Sequence, residues 1–268
     1  CFCDFNPYIF NPEVAGLQQA IDEAKSAGLN PKVVIPVDLF GQPADFDPIC
    51  DVAQTAGMKV LVDGAQGFGA IYKGYRVGSL GDATTTSFFP AKPLGCYGDG
   101  GAVFTNDDEL AELINSLRLH GKGNMKYDNV RIGLNSRLDT LQAAILLEKI
   151  SIFPVELENR HKIGQNYTKC LSNHYQTPFI MDGATSAWAQ YTLKVDDRDA
   201  VQDKLKEANI PSVVYYPMAL SQQAGYGHFP KLSNGVPVSE SLSDRVLSLP
   251  MHPYLSETVQ AKIIEALI

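Results

Sequence analysis

The stretch "VVIPVDLFGQPADFDPICDVAQTAGMKVLVD", residues 33–63, decides the fold. It opens with the apolar run "VVIPV" at 33–37, continues with the helical pattern "FDPICDVAQTAG" at 46–57, and ends with the apolar strand pattern "KVLVD" at 59–63. Two strand patterns joined by a helix with short connections are typical of a βαβ unit, whose strands lie parallel. The stretch therefore predicts a parallel sheet in an α/β domain, with 33–37 as a buried strand.

Further elements surround this unit in the first half of the chain. Asn106 or Asp107 is suited to cap one of the following helices. Ser136, with Asp139 three residues later, resembles a capping box for another. The expected elements are helices at 13–27, 108–121 and 136–150 and strands at 83–89 and 100–106.

The pattern changes in the second half. The charged segment 156–171 predicts a helix between two lobes. Beyond it we expect strands at 187–195 and 212–217 and helices at 198–208 and 256–267. These elements predict a large domain over residues 1–150 and a smaller α/β domain over residues 151–268.

The composition excludes several classes of protein. The chain has 268 residues, is 45% hydrophobic and carries a net charge of −8, which disfavours a general nucleic-acid binder. Its five cysteines are scattered without the spacing of a metal site, which favours reduced thiols in a cytoplasmic protein. No apolar run approaches the roughly 20 residues that a membrane span needs. Because "CFCDF" at 1–5 has the pattern of an interior strand, we expect that an N-terminal portion is missing.

A lysine in a constrained loop is the first candidate functional residue. Lys92 follows the strand predicted at 83–89 and stands between Pro90 and Pro93, which restrict the backbone around it. The glycines that follow allow the chain to approach a bulky ligand closely. A lysine in a partly desolvated pocket can lose its proton and act as an amine nucleophile, as Schiff-base chemistry requires. The alternative is an ordinary solvated lysine.

Asp63, at the end of an otherwise apolar strand, is the second candidate. Ligands of open α/β sheets bind beyond the carboxyl ends of the strands, so this aspartate is placed to meet one, unless it caps the next turn. Together with Lys92 it suggests pyridoxal 5'-phosphate (PLP), whose aldehyde condenses with a lysine and whose ring nitrogen needs an acidic partner. Ser87 is a candidate phosphate contact, or an ordinary strand serine.

A basic island interrupts the acidic chain between residues 118 and 137. Such an island suggests an anionic ligand, for example a phosphate or a carboxylate. The alternative is a solvated loop whose counter-charges lie elsewhere. The island consists of Arg118, Lys122, Lys126, Arg131 and Arg137.

The glycine-rich stretch "GCYGDGG" at 95–101 does not match a nucleotide-binding loop. It contains neither G-x-x-x-x-G-K-[ST] nor a GxGxxG between a strand and a helix. It also leads into a predicted strand rather than out of one.

Three longer stretches resemble a known family. They are "VDLFGQPADFDPI" (37–49), "VDGAQGFGAIYKGYRVGSLGDATTTSFFPAKPLGCYGDGGAVFTND" (62–107) and "GLNSRLDTLQAAIL" (133–146). The chain resembles, over essentially its whole length, the DegT/DnrJ/EryC1/StrS sugar aminotransferases. These are PLP enzymes of fold type I, the aspartate aminotransferase-like fold, and they aminate keto-sugar nucleotides. "NSRLDTLQAAILLEKI" (135–150) and "SLPMHPYL" (248–255) resemble the branch that acts on the 3-keto sugar of a UDP-N-acetylglucosaminuronic acid in O-antigen synthesis.

The resemblance implies five cofactor-binding residues. Lys92 matches the Schiff-base lysine, which also moves protons at the substrate carbon. Asp63 matches the partner of the pyridine nitrogen, and Gln66 matches a residue near the ring hydroxyl. Ser87 matches a phosphate contact, and Asn135 matches the asparagine that reaches the phosphate of the neighbouring subunit's cofactor.

The resemblance also implies substrate contacts. Arg137, Tyr215 and Tyr216 fall where family members contact the sugar nucleotide across a dimer, and His120 lies near that pocket by position. Family members often carry histidine where Tyr215 stands, which bears on the substrate contacts but not on the amination.

The implied protein is a cytoplasmic homodimer with shared active sites. It takes an amino group, with glutamate as the expected donor, and passes it to a nucleotide-linked keto sugar. The family's N-terminal segment, which supplies a phosphate-binding turn and an aromatic residue stacked on the ring, is absent from this sequence. A non-catalytic or partner-dependent fragment is therefore the alternative, whereas a purely regulatory role is disfavoured by the presence of Lys92.

Overall fold

The computed structural model of the chain describes residues 1–125 and 127–268. Short 3-10 turns occur at Leu39–Gly41 and Leu220–Gln222. The strands and helices in chain order are α1 (Val14–Ser26), β1 (Val33–Val34), α2 (Phe46–Ala56), β2 (Lys59–Asp63), β3 (Ile71–Tyr72), β4 (Tyr75–Arg76), β5 (Ala83–Ser87), β6 (Gly101–Phe104), α3 (Asp108–Leu117), α4 (Thr140–Leu171), β7 (Tyr191–Lys194), α5 (Arg198–Glu207), α6 (Pro237–Ser243), β8 (Val246–Leu249) and α7 (Glu257–Leu267).

The predicted βαβ unit is confirmed and forms one side of a four-stranded sheet with the order β1-β2-β5-β6. Helix α2 ends at Gly57, which has a left-handed φ of 71° and so turns the chain into β2. The pairs β1–β2 and β2–β5 are parallel, and Asp63 lies opposite Thr85. The last pair, β5–β6, is antiparallel, so the sheet is mixed but mostly parallel.

The first apolar run is not the buried strand that its composition predicts. Only Val33–Val34 forms a strand, followed by a single bridge from Val37 to Asp63. Val33 is 48% exposed and Ile35 is 57% exposed. The run lies at the edge of the sheet, and Pro36 removes one backbone donor from it.

Helix α4 differs from the prediction in its N-terminal cap and in its length. It begins at Thr140 with Asp139 as the N-cap and no side-chain capping bond, so the capping box expected from Ser136 and Asp139 is wrong. It then continues through Pro154 to Leu171, where two helices were expected. The boundary between residues 150 and 151 falls inside this helix, and the division into two domains stays a prediction.

The cap of helix α3 agrees with the prediction. The Asp107 carboxylate accepts a hydrogen bond from Leu110 N at 3.0 Å, as an N-cap does. The helix ends at Leu117, earlier than predicted. His120 and Gly121, three and four residues beyond its end, have φ values of 65° and 74°, which a right-handed helix excludes.

The second half contains a two-stranded antiparallel sheet of β7 and β8. The strand predicted at 212–217 is wrong, because only Val213 bridges to Ser248. The strand that pairs with β7 is β8, which the sequence patterns did not identify. Tyr191, Leu193, Leu205 and Leu247 are fully buried in the core that these strands form with α4, α5 and α7.

A separate core packs α1 and α2 against the large sheet. Ile21, Phe46, Ile49 and Val62 are each at most 2% exposed there. These contacts hold β2 at the centre of the sheet and so fix the position of its carboxyl end. None of the helices in the described part of the chain is long and apolar enough to cross a membrane.

Gly41 sits at a close approach between the two halves of the chain. Its φ is +113°, and an added Cβ would lie 2.7 Å from Trp188 N and 2.9 Å from Ala189 N. We expect Gly41→Ala to lower the free energy of unfolding by about 3 kcal/mol, since the strained φ alone costs about 1–3 kcal/mol and the backbone clash adds to it.

Gly28→Ala is the matched control for this prediction. Gly28 also has a positive φ of +77°, but nothing lies within 4 Å of an added Cβ. Chemical denaturation of the two variants should give a loss of about 1 kcal/mol for Gly28→Ala. Equal losses in both variants would show that the contact at Gly41 is unimportant.

Candidate active site

Two candidate residues lie at the carboxyl edge of the large sheet. Asp63 is the last residue of β2, and Ser87 is the last residue of β5. The two strands are parallel neighbours, and the register places Ser87 two residues beyond the partner of Asp63. Both side chains therefore belong to the edge at which open α/β sheets bind ligands.

Only one oxygen of the Asp63 carboxylate accepts a hydrogen bond from the residues that the structure describes. Its backbone N–H donates to Pro36 O at 2.9 Å, which ties the residue to the neighbouring strand end. Its Oδ1 accepts a hydrogen bond from Ala65 N at 3.1 Å. No residue that the structure describes donates to Oδ2, so this oxygen can take a donor from a ligand.

Lys92 projects from a loop that is closed by short contacts. Lys92 N donates to Phe89 O at 2.9 Å, and Cys96 N donates to Phe88 O at 2.7 Å. The Cys96 thiol lies 3.0 Å from Phe88 O and 3.1 Å from Gly98 O, within hydrogen-bonding distance of both. A Cβ on Gly95 would lie 2.6 Å from Phe89 O, so only glycine fits this closure.

The end of the Lys92 side chain is free within the described ranges. The residue is half-buried. Its Nζ forms no hydrogen bond and no ion pair with residues 1–125 or 127–268. A half-buried amine without a counter-charge is suited to covalent chemistry with a carbonyl compound rather than to a structural ion pair.

Gln66 connects the sheet edge to a distant part of the chain. Its buried amide accepts a hydrogen bond from Phe40 N at 2.6 Å and donates one to the Tyr216 hydroxyl at 3.3 Å. The Tyr215 and Tyr216 rings lie 5.6 Å apart. Partial burial and the charge of Asp63 raise the pKa of Tyr216, whereas the hydrogen bond from Gln66 lowers it. The structure thus brings Asp63, Gln66 and Tyr216 together.

The remaining candidates form a second group on an exposed segment. Arg137 Nη2 lies 3.2 Å from His120 Nε2, and Leu119 forms a bridge with Asn135. All three candidates, His120, Asn135 and Arg137, are exposed. Among the described residues no hydrogen bond joins this group to Asp63 or Lys92.

The basic island has no acidic partners in the part of the chain that the structure describes. Arg118, Lys122, Arg131 and Arg137 form no ion pair there. Arg118 and Arg131 instead donate to Asn115 and Ser116. Lys126, the fifth member, lies outside the described residues. The uncompensated charge favours an anionic ligand over a loop neutralised by its own chain.

Asp38 is a candidate residue that the sequence patterns did not single out. Its side chain is fully buried, and its Oδ1 accepts a hydrogen bond from Ala44 N at 3.0 Å. Burial and the charge of Asp63 raise the pKa of Asp38 to about 8, although the Ala44 N–H opposes this. The strand-end rule that identified Asp63 applies here too, because Asp38 directly follows the apolar run at 33–37.

The fold and the site define the class. One strand of the α/β sheet ends at Asp63, whose Oδ2 has no donor among the described residues. The neighbouring strand leads to Lys92, whose amine has no partner among them either. PLP requires these two groups, an acidic partner and an amine, in a fold-type I transferase. No cluster of His, Cys, Asp and Glu within the described ranges is suited to hold a metal ion.

The comparison with family models identifies the particular family. The DegT/DnrJ/EryC1/StrS aminotransferase family matches residues 1–268, and the chain belongs to it. Members of this family are PLP-dependent aminotransferases.

Individual relatives agree with this assignment. The chain is 46% identical over 264 residues to the UDP-2-acetamido-2-deoxy-3-oxo-D-glucuronate aminotransferase of Pseudomonas aeruginosa, covering 98% of this chain and 70% of that protein. A crystal structure of a family member from Brucella abortus superposes with a TM-score of 0.98 at 48% identity, over 99% of this chain and 72% of that one. NtdA from Bacillus subtilis, with bound cofactor PMP, gives a TM-score of 0.85 at 27% identity, over 100% of this chain and 61% of that one.

Proposed function

We propose that the protein transfers an amino group from glutamate to the 3-keto group of a UDP-linked hexuronate, in the cytoplasmic synthesis of a surface polysaccharide such as an O-antigen. One observation carries the proposal. The Lys92 amine is half-buried and has no partner among the described residues, and its loop follows β5, the neighbour of the strand that ends at Asp63. The 46% identity to the Pseudomonas aeruginosa relative supports the choice of sugar.

The chain's own residues have distinct roles in this proposal. When bound, PLP supplies an aldehyde that links reversibly to amines and a protonated ring that withdraws electrons from the neighbouring carbon. Lys92 holds the cofactor and then moves the proton at the sugar carbon. The Asp63 carboxylate would accept a hydrogen bond from the ring nitrogen. Gln66 would lie near the ring hydroxyl, and Ser87 would donate to the phosphate.

The exposed group of His120, Asn135 and Arg137 acts in a homodimer with shared sites. Asn135 reaches the phosphate of the partner subunit's cofactor, and Arg137 pairs with the diphosphate of the sugar nucleotide. Tyr215 and Tyr216 contact the sugar nucleotide, with Tyr216 held by Gln66 at 3.3 Å. The uncompensated basic charge and the exposure of these side chains support a role toward a second chain and an anionic substrate.

The direct test is amino transfer with isotope-labelled glutamate. The protein, loaded with PLP, is incubated with UDP-linked and dTDP-linked 3-keto and 4-keto sugars, and the labelled amino sugar is measured by mass spectrometry. We expect label in the UDP-linked 3-keto hexuronate. Label confined to a dTDP-linked or a 4-keto sugar would contradict the proposed substrate, and no label in any sugar would contradict sugar amination.

A partner-dependent or non-catalytic fragment is the second candidate. The exposed edge at Val33 and Ile35, and the exposed Leu141 (78%) and Leu147 (71%) on α4, favour it, because apolar surface of this kind requires a covering partner. A second copy of the chain would cover part of this surface in the homodimer. A stable, PLP-loaded dimer of the chain alone, measured by light scattering, would contradict the fragment hypothesis.

Arg137→Ala should separate binding of the sugar nucleotide from the reaction with glutamate. We expect a rise of about 10–100-fold in KM for the nucleotide sugar, since one charge-assisted hydrogen bond is worth about 1.5–3 kcal/mol. The half-reaction with glutamate should be unchanged. The exposed Arg76 in β4 provides the control variant, Arg76→Ala, which should leave both unchanged. Equal effects on both half-reactions would contradict the assignment of Arg137.

A further inference from the structure

Asp38 lies directly beside Asp63 at the carboxyl edge of the sheet. Its backbone N–H donates to Asp63 O at 3.0 Å, so the two residues are joined at neighbouring strand ends. The Asp38 side chain is 0% exposed. A second acidic group at this depth, next to the residue assigned to the ring nitrogen, requires a physical explanation.

The Asp38 carboxyl group is only partly satisfied. Its Oδ1 takes the N–H of Ala44, whereas its Oδ2 is buried and has no hydrogen-bond partner among the described residues. Gly67 packs against this group, because a Cβ at Gly67 would lie 2.6 Å from Oδ2 and 2.5 Å from the Asp38 Cβ. Burying an ionised carboxylate with a single donor is far more costly than burying the neutral acid.

The electrostatics favour the neutral form of Asp38. Asp63 is the one charged group that acts on it within the described chain, and it carries the same sign. Two neighbouring carboxyl groups in a dry site take different protonation states, and the more buried one keeps the proton. Asp63 is the less buried of the two.

We propose that Asp38 is a positioning residue that carries a proton at neutral pH. As a neutral acid, held by the Ala44 N–H and packed against Gly67, it supports the strand end at Asp63 without placing a second negative charge beside the proposed cofactor site. The positioning role rests on the proposed function. The proton on Asp38 does not, because it follows from the burial and from Asp63 alone.

Two variants of Asp38 separate its proton from its shape. Asp38→Asn keeps the size and an acceptor for the Ala44 N–H but cannot ionise, whereas Asp38→Leu keeps the volume but has no acceptor. PLP dissociation constants are measured by absorbance titration. At about pH 7 we expect the Asn variant to bind within about threefold of the wild type and the Leu variant to bind at least about tenfold more weakly. Between about pH 7 and 9 the wild type should lose up to about tenfold in affinity relative to the Asn variant.

A second measurement, thermal unfolding without PLP, tests the proton directly. The folded pKa of about 8 lies above the ordinary value of 3.8, so the folded chain holds a proton that the unfolded chain releases between these values. The stability due to this proton is fully present below about pH 4 and is lost as the pH rises to about 8. The Tm of the wild type should therefore fall over this range relative to that of Asp38→Asn.

Each outcome decides one part of the proposal. Wild-type PLP affinity in a folded Leu variant would overturn the positioning role. Parallel pH profiles of the wild type and the Asn variant, in affinity and in Tm, would overturn the proton. If the Leu variant does not fold, the Asn profiles still decide. If the wild type itself binds no PLP, the proposed function fails and the positioning role with it, while the unfolding profile still tests the proton.

Discussion

Replacing Lys92 with alanine is expected to lower the rate of amino transfer by at least about 10³-fold while the chain stays folded. The proposed lysine both holds the cofactor and moves the substrate proton, and acid–base catalysis alone contributes about 10²–10⁴-fold. Its Nζ has no partner within the described residues, so we expect the free energy of unfolding to change by less than about 1 kcal/mol.

Reduction of the lysine–cofactor linkage identifies the lysine that binds PLP. Borohydride reduction of the PLP-loaded wild type should bleach the visible absorbance and leave a stable adduct, which peptide mass spectrometry should place on Lys92. Lys92→Arg keeps the charge but has no amine nucleophile at neutral pH, so it should be as inactive as the alanine variant. Lys25→Ala, at an exposed lysine in the last turn of α1, is the control and should behave as the wild type. An adduct on another lysine, or normal turnover without Lys92, would contradict its assignment.

The parts of the fold that the sequence predicted well rest on local signals. The run at 59–63 is apolar up to Asp63 and is flanked by turn residues, so both the strand and its polar end follow from the pattern. Gly57 ends α2 and Asp107 caps α3 for reasons that involve only neighbouring residues. The strand-end position of Asp63 was predictable because the aspartate directly follows the last apolar residue of the strand.

Two of the predictions that failed concern long-range packing. A proline normally interrupts a helix, yet α4 continues through Pro154. Phe153 before the proline and Tyr167 after it are both buried. The run at 212–217 has strand composition, but it makes only the bridge from Val213 to Ser248 of β8. Tertiary packing overrode the local preference in both cases.

The site predicted from the sequence lacked some contacts for the same reason. The hydrogen bond from Gln66 to Tyr216 joins residues 150 positions apart, and no periodicity connects them. Asp38 looks like an ordinary strand-end residue until its burial and its contact with Asp63 are known. A pattern identifies the type of residue at a strand end, whereas its protonation depends on what the folded chain places around it.

Asp63→Asn is expected to lower kcat by about 10²–10³-fold, which corresponds to the loss of one preorganised electrostatic contact at the reacting group. The amide is nearly the same size as the carboxylate and can still accept the 3.1 Å hydrogen bond from Ala65 N, so the fold should be retained. What the amide lacks is the charge that keeps the ring nitrogen protonated. The defect should therefore be in the proton-transfer step rather than in cofactor retention.

The comparison of rate and binding distinguishes this prediction from simple misfolding. We expect single-turnover measurements with glutamate to slow by about the same factor as kcat, with the trapped adduct still formed on Lys92. Asp47→Asn, at an exposed aspartate that pairs with Lys73, is the control and should leave the rate unchanged. A variant that turns over normally would show that Asp63 only caps its turn. A variant that loses the adduct would show that the carboxylate holds the cofactor rather than activating it.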